Sequence, residues 1–151
     1  MAVRAPPATS EAVTKSMKAN KGSNTKPEAA LRRALRDAGY PGYRMNWKGA
    51  PGKPDIAYPG KKIAIFVNGC FWHRCPKCDL PVPKSHSDYW TDKFERNVRR
   101  DAAKTQELSE AGWEVIVVWE CDLKKRRDEV VSEIAGRIER RRAEAAARRG
   151  R

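Results

Sequence analysis

Gly52-Lys53-Pro54-Asp55, then Ile63-Ala64-Ile65-Phe66-Val67-Asn68, then Gly69-Cys70-Phe71-Trp72-His73-Arg74-Cys75-Pro76-Lys77-Cys78: these pieces of residues 52–78 decide how the chain folds. Ile63 to Val67 is uncharged throughout, and such a run reads as a strand buried on both faces, the centre of a sheet. The spacing predicts that strand over Lys61 to Asn68. Asp55 to Tyr58 precedes it as a shorter strand, and Pro59-Gly60 turns one into the other. The central strand runs straight into a cluster of thiols.

Working outward, Leu80 to Pro83 reads as extended chain, and Ser87 as the cap of a long helix reaching about Ala111. Its apolar positions are Tyr89, Trp90, Phe94, Val98 and Leu108, and Gly112 stops it. Trp113 to Trp119 is a second apolar strand, ending at Glu120-Cys121. A last helix, from about Arg127 to Arg149, is expected to bury Val130, Val131, Ile134 and Ile138. On the other side, Tyr43 to Trp47 reads as a first strand. Thr25 and Glu28 have capping-box spacing ahead of a helix with Leu31, Ala34 and Leu35 on its apolar face, ended by Gly39. Thr14 to Lys21 has the makings of a short basic helix with Met17 on one side. Helix, strands, helix, strand, helix predicts an α/β layered domain with a mixed sheet. The expected organisation is a basic arm over 1–25, a core over 26–123, and a basic helix and tail over 124–151.

Charge narrows the function. The 151 residues carry 32 Lys and Arg against 19 Asp and Glu, a net +13 and an isoelectric point near 9.9. Such a field favours a polyanion, nucleic acid before an anionic membrane surface. The excess sits at the ends. Arg4, Lys15, Lys18 and Lys21 face only Glu11, and from Lys124 onward eleven basic residues face five acidic ones, a net +6. That tail could grip phosphate or be a solvated helix end. No apolar run approaches the ~20 residues of a spanning helix. With no export-type start, the expected setting is the cytoplasm, close to the nucleoid, with no membrane partner and a monomeric chain.

Cysteines in such a chain point to metal or redox use rather than disulfides. Cys70-x4-Cys75-x2-Cys78 has metal-ligand spacing, and Cys121 follows the later strand. If the two strands pair in parallel, all four thiols meet at one edge of the sheet. Four thiolates suit tetrahedral Zn2+ in a closed, structural site. The alternative is a set of buried, reduced thiols.

Asp55 heading a strand after Pro54 is half of a pattern common to metal-dependent nucleases, where carboxylates hold Mg2+ and a base activates water. Pro-Asp is also ordinary turn chemistry. The other half, an acid-x-Lys on the next strand, is absent, so the remaining groups must come from elsewhere. His73 is the natural base. Glu28 could approach the same metal if its helix packs beside Asp55, or could serve only its own cap. Phe71 and Trp72, adjacent in an extended loop, cannot both face one core. Exposed beside basic residues they would suit stacking or wedging into DNA. Trp90 could join them or pack in the core.

Gly52-x-Pro54-Asp55, Gly69-Cys70-Phe71-Trp72-His73, Tyr89-Trp90, Lys93, Asn97, Asp101, Gly112-Trp113 and Trp119-Glu120-Cys121 together resemble the very-short-patch repair (Vsr) mismatch endonucleases. The similarity runs from about Thr14 to Cys121. It implies a restriction-endonuclease-like three-layer α/β/α fold with structural zinc on Cys70, Cys75, Cys78 and Cys121. It also implies Mg2+-dependent nicking of duplex DNA 5′ to the thymine of a T·G mismatch left by deamination of 5-methylcytosine. By the same resemblance Asp55 binds the catalytic metal, His73 is catalytic, and Glu28 lies near the metal. Phe71, Trp72 and Trp90 wedge beside the mismatch. Met17, Lys18 and Lys93 join the DNA-binding surface. Repair-pathway proteins and a cytosine-5 methyltransferase are the implied functional partners. Val67 and Asn68 stand where the best-known branch has Thr-His. Val67 keeps a backbone carbonyl to offer a metal, whereas Asn68 is neither acid nor base, leaving His73 as the proton acceptor. Cysteine at 75 stands in place of a histidine and keeps a zinc ligand. The alternatives are a same-fold nuclease aimed at another lesion or sequence in restriction or defence, and a non-catalytic zinc-stabilised DNA-binding module.

Overall fold

A computed structural model describes residues 25–150. The order is α1 (Lys26–Asp37), β1 (Arg44–Met45), β2 (Ile56–Tyr58), a 3-10 turn at Pro59–Lys61, β3 (Ile63–Asn68), α2 (Cys70–His73), α3 (Ser87–Glu110), β4 (Glu114–Trp119) and α4 (Glu120–Arg149). The sheet runs β1-β2-β3-β4 and is mixed: β1 and β3 lie antiparallel to β2, and β3 and β4 pair in parallel. The parallel pair runs from Ile63 opposite Glu114 to Asn68 opposite Trp119. Both strands therefore end level, at one edge.

Alternation along β3 divides the layers. Ile63, Ile65 and Val67 enter a core with Leu31 and Leu35 of α1 and Val130, Ile134 and Ile138 of α4. Ala64 and Phe66 face the other side, packing with Ala50, Leu108 of α3, Trp47, Trp113 and Val115. The sheet is thus sandwiched between α1 with α4 and α3, three layers in all. α4 supplies Leu123, Val130, Ile134 and Ile138 to the first core. Its arginines are partly committed as well: Arg137, Arg140 and Arg141 all reach Glu114 on β4. Among the described residues no helix is long and apolar enough to cross a membrane.

Several expectations shift. β1 is two residues rather than five, because only Arg44 and Met45 find partners on β2. Ser87 lies inside α3, and His86, at φ 57°, is the residue before it. α4 kinks at Arg126, so the helix expected from about Arg127 is its second segment, and the first, opening at Glu120, carries Cys121. Val98 is exposed, since the sheet-facing stripe of α3 runs through Phe94, Asn97, Asp101, Lys104 and Leu108 instead. The segment after Gly69 is helical at Cys70–His73 rather than extended. Thr14–Lys21, with Met17 and Lys18, lies outside the described residues.

Candidate active site and metal centre

Two strand ends build the thiol cluster. Cys70 opens α2 just beyond β3, and Cys121 opens α4 just beyond β4. Arg74, in the left-handed region at φ 57°, ends α2 and turns the chain so that Cys75 and Cys78 come back to the same point. The Cys75 N–H donates to the Cys70 carbonyl at 3.0 Å, and the Asp79 N–H to the Cys75 carbonyl at 3.1 Å. All four Sγ atoms lie within 4.8 Å of one another, with Cys75 and Cys121 at 3.8 Å. Zinc–sulfur bonds of about 2.3 Å in a tetrahedron set sulfurs about 3.8 Å apart, so the four residues fit one zinc ion. Burial pushes the Cys70 thiol up to about 12, a cost that a bound divalent cation would offset. Lys77 adds a clasp, its Nζ 2.6 Å from Asp122 on α4.

The thiol cluster ties α2 to the start of α4, and α2 carries His73 to α3. Its Nδ1 lies 2.6 Å from Oδ2 of Asp101 on α3. One turn back on α3, the Asn97 amide donates to the Trp72 carbonyl at 3.1 Å. The imidazole is therefore fixed through Nδ1, leaving Nε2 as the nitrogen open to another partner.

Asp55 stands at the start of β2. Ile56 pairs with Ile65, so Asp55 falls opposite Phe66, on the α3 side of the sheet. The Val67 N–H donates to its Oδ2 at 2.8 Å. Burial raises the Asp55 carboxyl to about 6 against the pull of that hydrogen bond; the Glu28 charge raises it further, and Lys104 and His73 act to lower it. Glu28 is 3% exposed in the first turn of α1, where its N–H reaches Thr25 Oγ1 at 3.4 Å and its carboxylate lies 3.8 Å from Arg32. Glu28 and His73 thus each act on the Asp55 carboxyl, with Val67 bonded to it. Asn68 is buried at the end of β3.

The aromatics form one cluster rather than a row of exposed rings. In a helical turn Phe71 and Trp72 share a face, with centroids 5.1 Å apart. Phe71 lies 5.2 Å from Phe94, and Trp72 5.6 Å from Trp90. Trp90 is 4% exposed and is the inner member, packed as the core alternative expected; Phe71 and Trp72 stay half-buried at the surface. Lys93 holds its Nζ 5.7 Å above the Trp72 ring. Lys104 carries no sequence signal by itself. The trace it leaves is periodicity: it completes an apolar stripe with polar members, spaced by three and four residues from Phe94 to Leu108.

The family model for DNA mismatch endonuclease Vsr matches residues 8–79. The type II nicking enzyme V.NaeI of Lentzea aerocolonigenes is 46% identical over 112 residues, 71% of this chain and 66% of that enzyme. The type II nicking enzyme V.XorIIP of Xanthomonas oryzae pv. oryzae is 44% identical over 103 residues, 68% of this chain and 75% of its own. DNA mismatch endonuclease Vsr of Escherichia coli is 34% identical over 123 residues, 80% and 78% of the two chains. With this identity spread over most of both lengths, the chain belongs to the Vsr family.

Proposed function

We propose that the chain is a Mg2+-dependent DNA endonuclease of restriction-endonuclease-like fold that nicks one strand 5′ to the thymine of a T·G mismatch. The reading is supported by the Asp55 carboxyl, which is bonded to the Val67 N–H near the end of β3 and acted on by Glu28 and His73, and by the His73–Asp101 pair. Asp101 holds Nδ1 of His73, so Nε2 accepts a proton from water. The water oxygen bonds to phosphorus in line as the bond to the 3′ oxygen breaks, and the leaving oxygen takes a proton from solvent, giving a 5′-phosphate and a 3′-hydroxyl. Mg2+ held by Asp55, with Glu28 and the Val67 carbonyl in reach, would supply charge for the leaving oxygen. Zinc on Cys70, Cys75, Cys78 and Cys121 would fix the turn that presents His73.

Phe71 and Trp72 head the DNA-facing surface, with Lys93 beside them, and Met17 and Lys18 are assigned to the clamp on the other groove. A mismatch stacks poorly, so opening it to admit an aromatic ring costs less than opening matched duplex. Repair proteins would take over the nick, and a cytosine-5 methyltransferase would create the lesion's precursor in the same cytoplasmic, nucleoid-associated setting. The enzyme would act as a monomer.

The test is incubation with Mg2+ and end-labelled duplexes carrying T·G or matched pairs in varied sequence. Selective nicking beside the thymine supports the reading, and Asp55→Ala should abolish it while leaving duplex binding. Full activity in Asp55→Ala would remove the site. A second reading follows from the relatives named type II nicking enzymes: recognition of a matched sequence. Equal nicking of matched and mismatched duplex in one context would favour it. Salt-sensitive binding without cleavage by any divalent ion would leave the DNA-binding module.

A further inference from the structure

β3 carries no lysine, so that strand brings no cation to a phosphate beside Asp55. One arrives from another layer. Lys104 lies on α3, three residues beyond Asp101 and four before Leu108, on the stripe facing the sheet. Leu108 is fully buried there, and Asp101 holds His73. A lysine on a solvated helix face has open space around its stem; this one is walled on two sides. Gly52, at φ +75°, comes so close that a Cβ on it would fall 2.9 Å from both Cβ and Cγ of Lys104 and 3.2 Å from its Cδ. On the other side, Nζ lies 5.9 Å from the Phe66 ring centroid. Phe66 is the residue opposite Asp55 across the β2–β3 pair. The glycine of the Gly52-Lys53-Pro54-Asp55 turn thus does two things: it makes the turn, and it leaves room for the lysine stem that passes it.

We propose that Lys104 is the phosphate-binding cation of the reaction centre, its ammonium placed beside Asp55 to contact a non-bridging oxygen of the scissile phosphate. The assignment rests on the nuclease reading and deepens it. Lys104 makes and breaks no covalent bond. It stays protonated, donates hydrogen bonds, and stabilises the negative charge that builds on the phosphoryl oxygens as water adds and the 3′ oxygen leaves. Three features suit it to that task. Its stem is clamped by Gly52 and Phe66, its charge acts on the Asp55 carboxyl, and its helix also orients the base through Asp101. The acid, the base and the cation are then supplied by β2, α2 and α3, and no strand carries two of them.

The experiment compares wild type, Lys104→Met and Lys104→Arg. Methionine keeps an apolar stem against Gly52 and removes the charge; arginine keeps the charge. Single-turnover nicking with Mg2+ is measured beside duplex affinity in Ca2+ and thermal melting. Lys104→Met should nick about 10²- to 10³-fold more slowly, as loss of one preorganised donor implies, with affinity within about threefold and melting unchanged. Lys104→Arg should recover much of the rate. Lys104→Gln repeats the comparison with a polar end should methionine lower the melting temperature. Wild-type rates in Lys104→Met, with Asp55→Ala inactive, overturn the Lys104 assignment and leave the nuclease reading standing. A loss of affinity as large as the loss of rate also overturns it, since that marks a ground-state contact. Wild-type protein that nicks no duplex with any divalent ion overturns both.

Discussion

Asp55 is asked to be ionised where ionisation is disfavoured. Burial carries its carboxyl from the ordinary 3.8 to about 6, with the Val67 N–H, Lys104 and His73 pulling the other way. Because the folded value is raised, the native state holds the proton more tightly than the unfolded chain. The stability contributed by neutral Asp55 is fully present below about pH 4 and is lost as pH rises through about 6. In Mg2+-free buffer with zinc retained, Asp55→Asn should therefore melt higher than wild type at pH 8, by about 1–2 kcal/mol after allowance for partial exposure, and show no advantage near pH 4. The same variant should not nick. An unchanged melting temperature at pH 8 would show that the carboxyl is comfortably solvated. Asp101→Ala addresses the base. With Nδ1 unpaired, His73 loses its orientation, and single-turnover nicking should fall about 10²-fold or more at unchanged duplex affinity.

One turn of helix cannot stand alone in water, and α2 has only Cys70 to His73. It is held at its start by Cys70, behind by Cys75 and Cys78, and across by Cys121 from a different strand end. Purified protein should contain one zinc per chain by elemental analysis. Removing it should abolish nicking and change tryptophan emission, because Trp72 and Trp90 belong to the cluster α2 completes. Cys78→Ser should loosen zinc and lower activity together; full activity in zinc-free protein would make the cluster ornamental. Adjacent aromatics in an extended loop would have pointed apart, and the helical turn is what lets Phe71 and Trp72 share a face. That turn was not legible in the sequence because nothing local supports it: the thiols do. On α3 Trp90, Phe94 and Leu108 were legible as buried positions and Val98 was misplaced among them, while the stripe between Phe94 and Leu108 carries Asn97, Asp101 and Lys104. Polar residues at core-facing spacing read as solvent positions until a partner layer is in place.

Across the whole molecule, α4 is both core and charge. Ile134, 1% exposed, lies against the β3 side chains and α1, so Ile134→Ala should cost about 2–5 kcal/mol in denaturant unfolding. Arg137, Arg140 and Arg141 converge on Glu114, which assigns part of the basic tail to holding this helix on the edge strand β4. The rest of the +13 excess remains for DNA. Duplex affinity should then fall steeply with salt, about 10³-fold between about 50 and about 200 mM if six or more phosphates are neutralised. A flat salt dependence would separate the charge from DNA binding.

The sequence alone determined the α/β class, the buried central strand, the apolar faces of α1 and α4, and the four thiols as one set. Each of these is written in local periodicity or ligand spacing, and needs no knowledge of the other layers. Tertiary structure alone decided that Cys121 rides on a helix, that Trp90 is interior, that Asp101 holds His73, and that Lys104 passes between Gly52 and Phe66. Those contacts join residues 28 to 52 positions apart in the chain, or depend on which face of a helix meets the sheet. Such pairings follow from the parallel register of β3 and β4, which packing sets and no single segment encodes.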